Sequence, residues 1–216
     1  MRSAARGNAR PLPPHARRVA ALAAIAAACT LVVAACGGGA LDNPPTVSNA
    51  ATSANGQKLS FAYFQRCVMP VLRANLSVNI NGVTSVNSCS AGGCHDNTTG
   101  TGGALRLVGS ASDVDLATAA ATSSLVRTTD MYRNFYSAQG ETVIGDPQAS
   151  RLLVKPLVQG VLHGGGLIFA SASDPNAKVL SYWISHPMPA GQDEFSDAAA
   201  ALFNPADVHA GQCNTG

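Results

Sequence analysis

A mainly α-helical domain with long irregular loops is the fold class that this sequence predicts, and three observations predict it. Apolar side chains recur at three- and four-residue spacing behind capping residues at several points along the chain. Runs that alternate β-branched and polar residues are few. The stretches between helical patterns are rich in Asn, Gly, Ser and Thr, and no internal repeat is visible.

The first helix comes from Phe61, Phe64, Val68, Val71 and Leu72, which share one helical face behind Ser60 as N-cap. Pro70 is expected to bend or end it near its last turn. Residues 77 to 103 read as one irregular segment, of a length that a compact domain tolerates when the segment is functional or pinned covalently. Asp146-Pro147 and Asp174-Pro175 each place a capping carboxylate before a proline at the first helical position. The first pair starts a helix carrying Leu152, Leu153 and Val154; the second starts one carrying Val179, Leu180, Trp183 and Ile184, which Pro187 stops. A short Ala-rich helix from about Glu194 to Phe203 precedes Asn204-Pro205. Trp183 reads as core, and Met69 and Met131 read as packing residues, the commonest use of methionine.

Upstream of this region, Arg2, Arg6, Arg10, Arg17 and Arg18 form a basic stretch without acids, followed by an uncharged Ala-rich run from Val19 to Ala35. Residues 1–35 therefore read as an export signal. The run is short for a permanent span, which needs about 20 apolar residues. Val33-Ala34-Ala35-Cys36-Gly37 resembles the lipobox of bacterial lipoproteins, in which cleavage leaves an acylated cysteine, here Cys36, at the new N-terminus. Gly37 stands where an aspartate directs retention in the inner membrane, so outer-membrane sorting in the cell envelope is expected. Residues 36–57 carry a single charge and few large apolar side chains, the composition of a flexible tether. The folded domain is expected over 58–203, with 204–216 as a C-terminal tail.

Charge then excludes one class of function. The whole chain has 14 Lys and Arg against 12 Asp and Glu, but five of those cations belong to the signal. The mature chain is left with nine cations against twelve acids, which removes the electrostatic case for a nucleic-acid partner. Other patterns fail too. No Gly-x-Ser-x-Gly, phosphate loop or dinucleotide fingerprint occurs, and His163-Gly164-Gly165-Gly166 lacks the nucleophile elbow that an oxyanion loop of that kind accompanies.

The sharpest chemical feature is Cys89-Ser90-Ala91-Gly92-Gly93-Cys94-His95. Covalent attachment of a c-type haem needs this order, because both thiols add to vinyl groups of one haem and the adjacent imidazole then ligates the iron. The usual spacer between the cysteines is two residues; a four-residue spacer also occurs among multihaem cytochromes c, and a single thioether through Cys94 is a further option. Competing readings of the pair are a local disulfide, which export permits, half of a zinc site whose second half is missing, and unpaired thiols. For His95 the plain alternative is a loop histidine beside a disulfide. If Cys36 is acylated and Cys89 and Cys94 hold haem, Cys67 and Cys213 remain as a disulfide between the first helix and the tail; a Cys89–Cys94 disulfide leaves the same pair.

The order Phe64-Gln65-Arg66-Cys67-Val68-Met69-Pro70, the Cys/Cys-His segment, Gly103-Ala104-Leu105-Arg106-Leu107, Gly145-Asp146-Pro147-Gln148-Ala149-Ser150-Arg151-Leu152-Leu153, Lys155-Pro156, His163-Gly164-Gly165-Gly166 and Leu180-Ser181-Tyr182-Trp183-Ile184 resembles the planctomycete-type cytochrome c domains of exported bacterial proteins. The resemblance spans about residues 61 to 185 and implies cytochrome c-like helices around one haem site. Many members carry Met-Pro-Pro before the last helix, with the methionine as distal iron ligand; this chain carries His163-Gly-Gly-Gly, as a subset of the family does.

A low-spin electron-transfer haem needs a second strong ligand, usually His or Met. His163 is the first choice, since the three glycines after it let backbone pack against a flat ring. Met188 is the alternative, while His186 and His209 are expected in solvent. Arg106 and Lys155 are expected either to pair with haem propionates or to be solvated.

The expectation is an exported, lipid-anchored c-type cytochrome with one covalent haem, a carrier of single electrons to or from a redox partner protein rather than a catalyst. Cys89 and Cys94 supply the thioethers, His95 is proximal, and the membrane is met through the lipid on Cys36. The alternative of another class is a haem-free lipoprotein whose disulfides brace a binding or structural module; a five-coordinate haem doing peroxide chemistry is a third. Mass spectrometry of the mature protein is expected to find Cys36 at the N-terminus carrying a diacylglycerol, and an N-terminus elsewhere would refute the lipobox reading.

Overall fold

The structure is a computed structural model that describes residues 56–80 and 82–216. The export signal, Cys36 and the tether up to residue 55 lie outside the described residues. The described residues fall within one unit, Ala50–Gly216.

The first helix starts at the predicted cap: the backbone N–H of Tyr63 donates to Ser60 Oγ at 3.1 Å. It begins as α1 (Phe61–Tyr63), widens to a π-helical turn over Phe64–Val68 and continues as α2 (Met69–Arg73). Pro70 therefore does not end it. Pro70 has no N–H to give and its ring crowds the preceding turn; the chain meets it with a wide turn, in which Met69 N–H reaches back to Phe64 O.

An antiparallel hairpin follows, β1 (Leu76–Ile80) with β2 (Val83–Asn87), in the segment expected to be irregular. Leu76, Val78 and Ile80 alternate, and Asn81-Gly82 follows them in the sequence, the strongest short signal for a two-residue hairpin loop. Beyond it come α3 (Ser123–Val126) and α4 (Asp130–Gly140), then a 3-10 turn, Pro147–Ala149, leading into α5 (Arg151–Val154). Helix α4 was not anticipated from the sequence. Thr129 caps it, and Met131, Phe135 and Ala138 line its buried face. Asp146 caps the 3-10 turn through Gln148 N–H and Ala149 N–H, as its sequence position predicts. Helix α6 (Pro175–Ser185) is capped by Asp174 and stops one residue short of the one before Pro187, where helical backbone is disfavoured. The last predicted helix is a 3-10 turn, Asp197–Leu202.

Residues 204–216 pack back on the domain. Strands β3 (Phe203–Asn204) and β4 (Gln212–Cys213) pair, Cys213 forms a disulfide with Cys67 of the π turn, and Tyr63 Oη donates to Asn214 O at 2.5 Å. The fold is thus a set of short helices and two small sheets around one core. At its centre, Trp183 from α6 is fully buried, with its ring 5.4 Å from Phe64 and 6.1 Å from Phe135 between centroids, and its indole N–H donates to Ser60 O at 3.0 Å. Met69 and Met131 are buried in the same core, as expected.

An ionic cluster centred on the buried Glu194, with Arg127 at the surface, closes one end of this core. Tyr132 Oη and Arg127 Nε both donate to Glu194 Oε1, at 2.7 and 3.0 Å, and the Glu194 carbonyl accepts Phe61 N–H at the start of α1. Burial alone pushes the Glu194 carboxyl up, but hydrogen bonds from its own backbone N–H, Tyr132 and Arg127, with the arginine's charge, hold it below the ordinary carboxylate range. A depressed folded-state value means that this stabilisation is present at neutral pH and is lost as pH falls below the ordinary glutamate value of 4.5. The stability difference between wild type and Glu194→Gln, read by denaturant unfolding, is expected to be largest near pH 7 and to shrink as pH drops through and below that value; a pH-independent difference would overturn this account.

Candidate functional site

Residues 88–107 fold by docking on the end of the first helix. The Leu72 carbonyl, one of the last of that helix, accepts both Ser90 N–H at 3.1 Å and Ser88 Oγ at 3.2 Å, which seats Cys89 beside the core. His95 N–H then returns to Cys89 O at 2.9 Å, and Leu107 N–H donates to His95 O at 2.7 Å. Leu107, fully buried, anchors the far end. After His95 the turn is held by Asp96, whose Oδ1 accepts Thr98 N–H, Thr99 N–H and Thr99 Oγ1. The result is a compact loop with Cys89, Cys94 and His95 all half-buried on one side.

That side is the wall of a cavity of about 510 Å³. Its apolar lining includes Leu72, Val78, Leu105, Leu152, Phe169 and Leu180, while Cys89, Cys94, His95 and His163 bring the reactive groups. The volume lies in the range of pockets that take a small molecule or cofactor.

His163 reaches the same cavity from a turn carried by the hairpin. Asn79 of β1 and Leu167 exchange backbone hydrogen bonds at 3.3 and 3.2 Å, and Gly166 N–H closes the turn on His163 O at 2.9 Å. Gly166 has φ +71°, and any side chain there would strike the Asn79 carbonyl, so only glycine permits this seam. The hairpin unforeseen in the sequence is therefore what positions His163.

The two imidazoles lie with ring planes within 10° and centroids 6.4 Å apart. This is too wide for ring-on-ring contact. With metal–nitrogen bonds of about 2.0 Å, two imidazoles bound end-on to one metal atom have their centres about 6 Å apart. Each ring is also oriented through its other nitrogen: His95 Nδ1 pairs with Leu105 O at 3.2 Å and His163 Nδ1 with Gly166 O at 2.8 Å. A neutral imidazole that donates from Nδ1 to a carbonyl keeps a bare lone pair on Nε2, which is how protein backbones prepare histidine for a metal. Burial pushes His95 below its usual range; the Leu105 carbonyl opposes this, and His163, Lys155 and Arg106 add to it, so the ring is neutral at pH 7.

Cys89 and Cys94 are both free thiols and are not bonded to each other, so the local disulfide weighed from the sequence is not the arrangement found. Burial, and then the neighbouring Cys94, push the Cys89 thiol up to about 11. Redox-active cysteine pairs have the opposite property, a lowered value that exposes a thiolate.

Met188, the alternative distal ligand, is not brought to the cavity. It is 2% exposed in the core, its N–H donates to Lys58 O at 2.7 Å, and Gln57 Nε2 donates to its carbonyl. His186 stacks on Tyr182 at 3.9 Å and is exposed, as is His209. Arg106 is exposed and donates to Gly100 O at 2.6 Å, whereas Lys155 lines the cavity. Arg151, which the sequence reading did not single out, lines it as well. Among the described residues no three His, Cys, Asp or Glu side chains converge as a metal cage, so the zinc reading gains no second half. What the cavity holds besides its two thiols is two imidazoles with nearly parallel planes.

In comparison with known proteins, the chain matches no family model, no curated protein and no solved structure.

The close approach of backbone to His95 gives a test. A Cβ at Gly102 would lie 2.5 Å from His95 Nδ1 and 2.6 Å from Cys94 O, whereas one at Gly140 meets open space. Gly102→Ala is expected to cost about 1–3 kcal/mol in denaturant unfolding, by overpacking. Gly140→Ala should be neutral, and equal effects of the two would contradict the geometry.

Proposed function

We propose that this chain is a c-type cytochrome with one covalent haem, carried on the membrane by an N-terminal lipid, that passes single electrons to or from a redox partner. The observation that carries this reading is the pair of parallel imidazoles, each with Nδ1 engaged by a backbone carbonyl, on an apolar cavity that also holds Cys89 and Cys94.

In this reading His95 is the proximal ligand and His163 the distal one, and Cys89 and Cys94 hold the haem through thioethers. Haem supplies a reversible one-electron couple. The chain's own residues set its conditions. The Leu105 and Gly166 carbonyls hold the two rings in orientation through Nδ1. Leu72, Val78, Leu152 and Phe169 give the cavity an apolar lining. Cys89 and Cys94 would supply the two thiols for attachment, each S–H adding across a vinyl group with sulfur on one carbon and hydrogen on the other. Gly92 and Gly93, next to Cys94, are exposed, so the thiol end of the cavity lies near the surface where a partner can approach. Two imidazoles predict a lower potential than a His/Met pair.

A pyridine haemochrome spectrum of the exported, denatured protein, made in a host with haem-attachment machinery, tests this. A band position for two saturated vinyl groups is expected; one saturated group assigns attachment to Cys94 alone. Absence of covalent haem sinks the proposal in favour of a disulfide-braced lipoprotein. His163→Ala is expected to leave the haem attached and turn the low-spin spectrum high-spin, with carbon monoxide binding to the ferrous form; an unchanged low-spin spectrum assigns another distal ligand.

A further inference from the structure

Helix α5 presents two cations to the cavity. Arg151 at its first position and Lys155 just past its last lie four residues apart, on one helical side, and both line the pocket. Arg151 differs from the other arginines of the described region. Arg66 donates to Val208 O, Arg73 to Ala111 O, Arg106 to Gly100 O, Arg127 to Glu194 and Arg133 to Asp130. Among the described residues Arg151 and Lys155 make no ion pair and no side-chain hydrogen bond. Glu141, the acid that shares the lining, is not within ion-pair distance of either.

Local helix electrostatics do not account for the pair. Helix α5 has four residues, too few to build a dipole that would draw two cations to it, and Arg151 stands at the end where a dipole favours anions. Lys155 is half-buried and Arg151 exposed at the rim, and among the described residues neither side chain has a protein partner. A half-buried cation beside an unpartnered arginine, both bordering an apolar cavity, fits a ligand that is flat and apolar over most of its surface and carries carboxylates at one edge.

We propose that Arg151 and Lys155 form the carboxylate edge of this cavity and receive the two propionates of haem, an inference that rests on the function proposed above. Arg151 suits the role through its planar fork, which pairs with a carboxylate through two N–H donors; Lys155 offers a point charge on a flexible stem. Both are positioning residues. They fix which way round the haem enters, and so which of its edges faces Cys89 and Cys94.

The test uses the full chain loaded with haem and the variants Arg151→Gln and Lys155→Gln, singly and together, with Arg106→Gln as a cation outside the cavity. Resonance Raman spectra carry propionate bending bands that respond to hydrogen bonds on the carboxylates. These bands are expected to shift in both cavity variants, to stay in place in Arg106→Gln, and to return toward wild type in Lys155→Arg. A second measurement uses the haem-free chain, titrated with iron protoporphyrin and with its dimethyl ester, which keeps the ring and loses both carboxylates. Wild type is expected to prefer the free acid by about tenfold or more, and the double variant to lose that preference. Haem attached, with bands unmoved and no acid preference, overturns this inference and leaves the cytochrome reading standing. No haem on the wild-type chain overturns both.

Discussion

The indole N–H of Trp183, given to the carbonyl of Ser60, is the contact on which the rest of the structure depends. Ser60 is at once the N-cap of the first helix and the acceptor for α6, so one residue sets where the helix begins and what it lies against. The rings of Phe64 and Phe135 pack about the indole, and Phe61 adds Tyr132 and Phe195 to the same cluster. Burying a tryptophan removes a large apolar surface from water, but its N–H must find a partner, and here that requirement fixes a register between two elements far apart in the chain.

From that core the site follows mechanically. The first helix ends at Arg73 beside the cavity, and its spare carbonyl on Leu72 receives the serines that flank Cys89. The hairpin that leaves the helix turns back along the cavity and carries the His163 turn through Asn79 and Leu167. The two histidines are thus referred to one helix end by two routes, and their parallel rings are a consequence of shared backbone hydrogen bonds rather than of contact between them. The disulfide Cys67–Cys213 acts on the other side of that helix, tying the chain's last strand to its π turn.

Much of the local structure was legible in the residues. Ser60, Asp146 and Asp174 cap where they were expected to, because capping is decided within a few residues of the cap. Two elements escaped notice. The hairpin was hidden in a stretch rich in Asn, Ser and Gly, although its alternation and Asn-Gly dipeptide were there to be read. Helix α4 was passed over because its buried face is broken by Asn134, a polar residue that the fold buries by bonding it to both backbone groups of Val108. Pro70, which by itself would bend or end the helix, is an interior residue, since the π turn before it accommodates its ring and missing N–H.

The sequence by itself determined the inventory: which thiols and imidazoles the chain possesses, the nearness of Cys89, Cys94 and His95 along it, and the caps that start its helices. Only the tertiary structure decided that His163 and not Met188 lies beside His95, by sending the methionine into the core beside Lys58 and holding the histidine against the hairpin. It also decided that Arg151 stands unpartnered at the cavity while its fellow arginines are bound. The reason is one of range. Caps and motifs are written in neighbouring residues, whereas which distant side chains meet depends on the backbone hydrogen bonds and packing that join their segments, and those are properties of the folded chain as a whole.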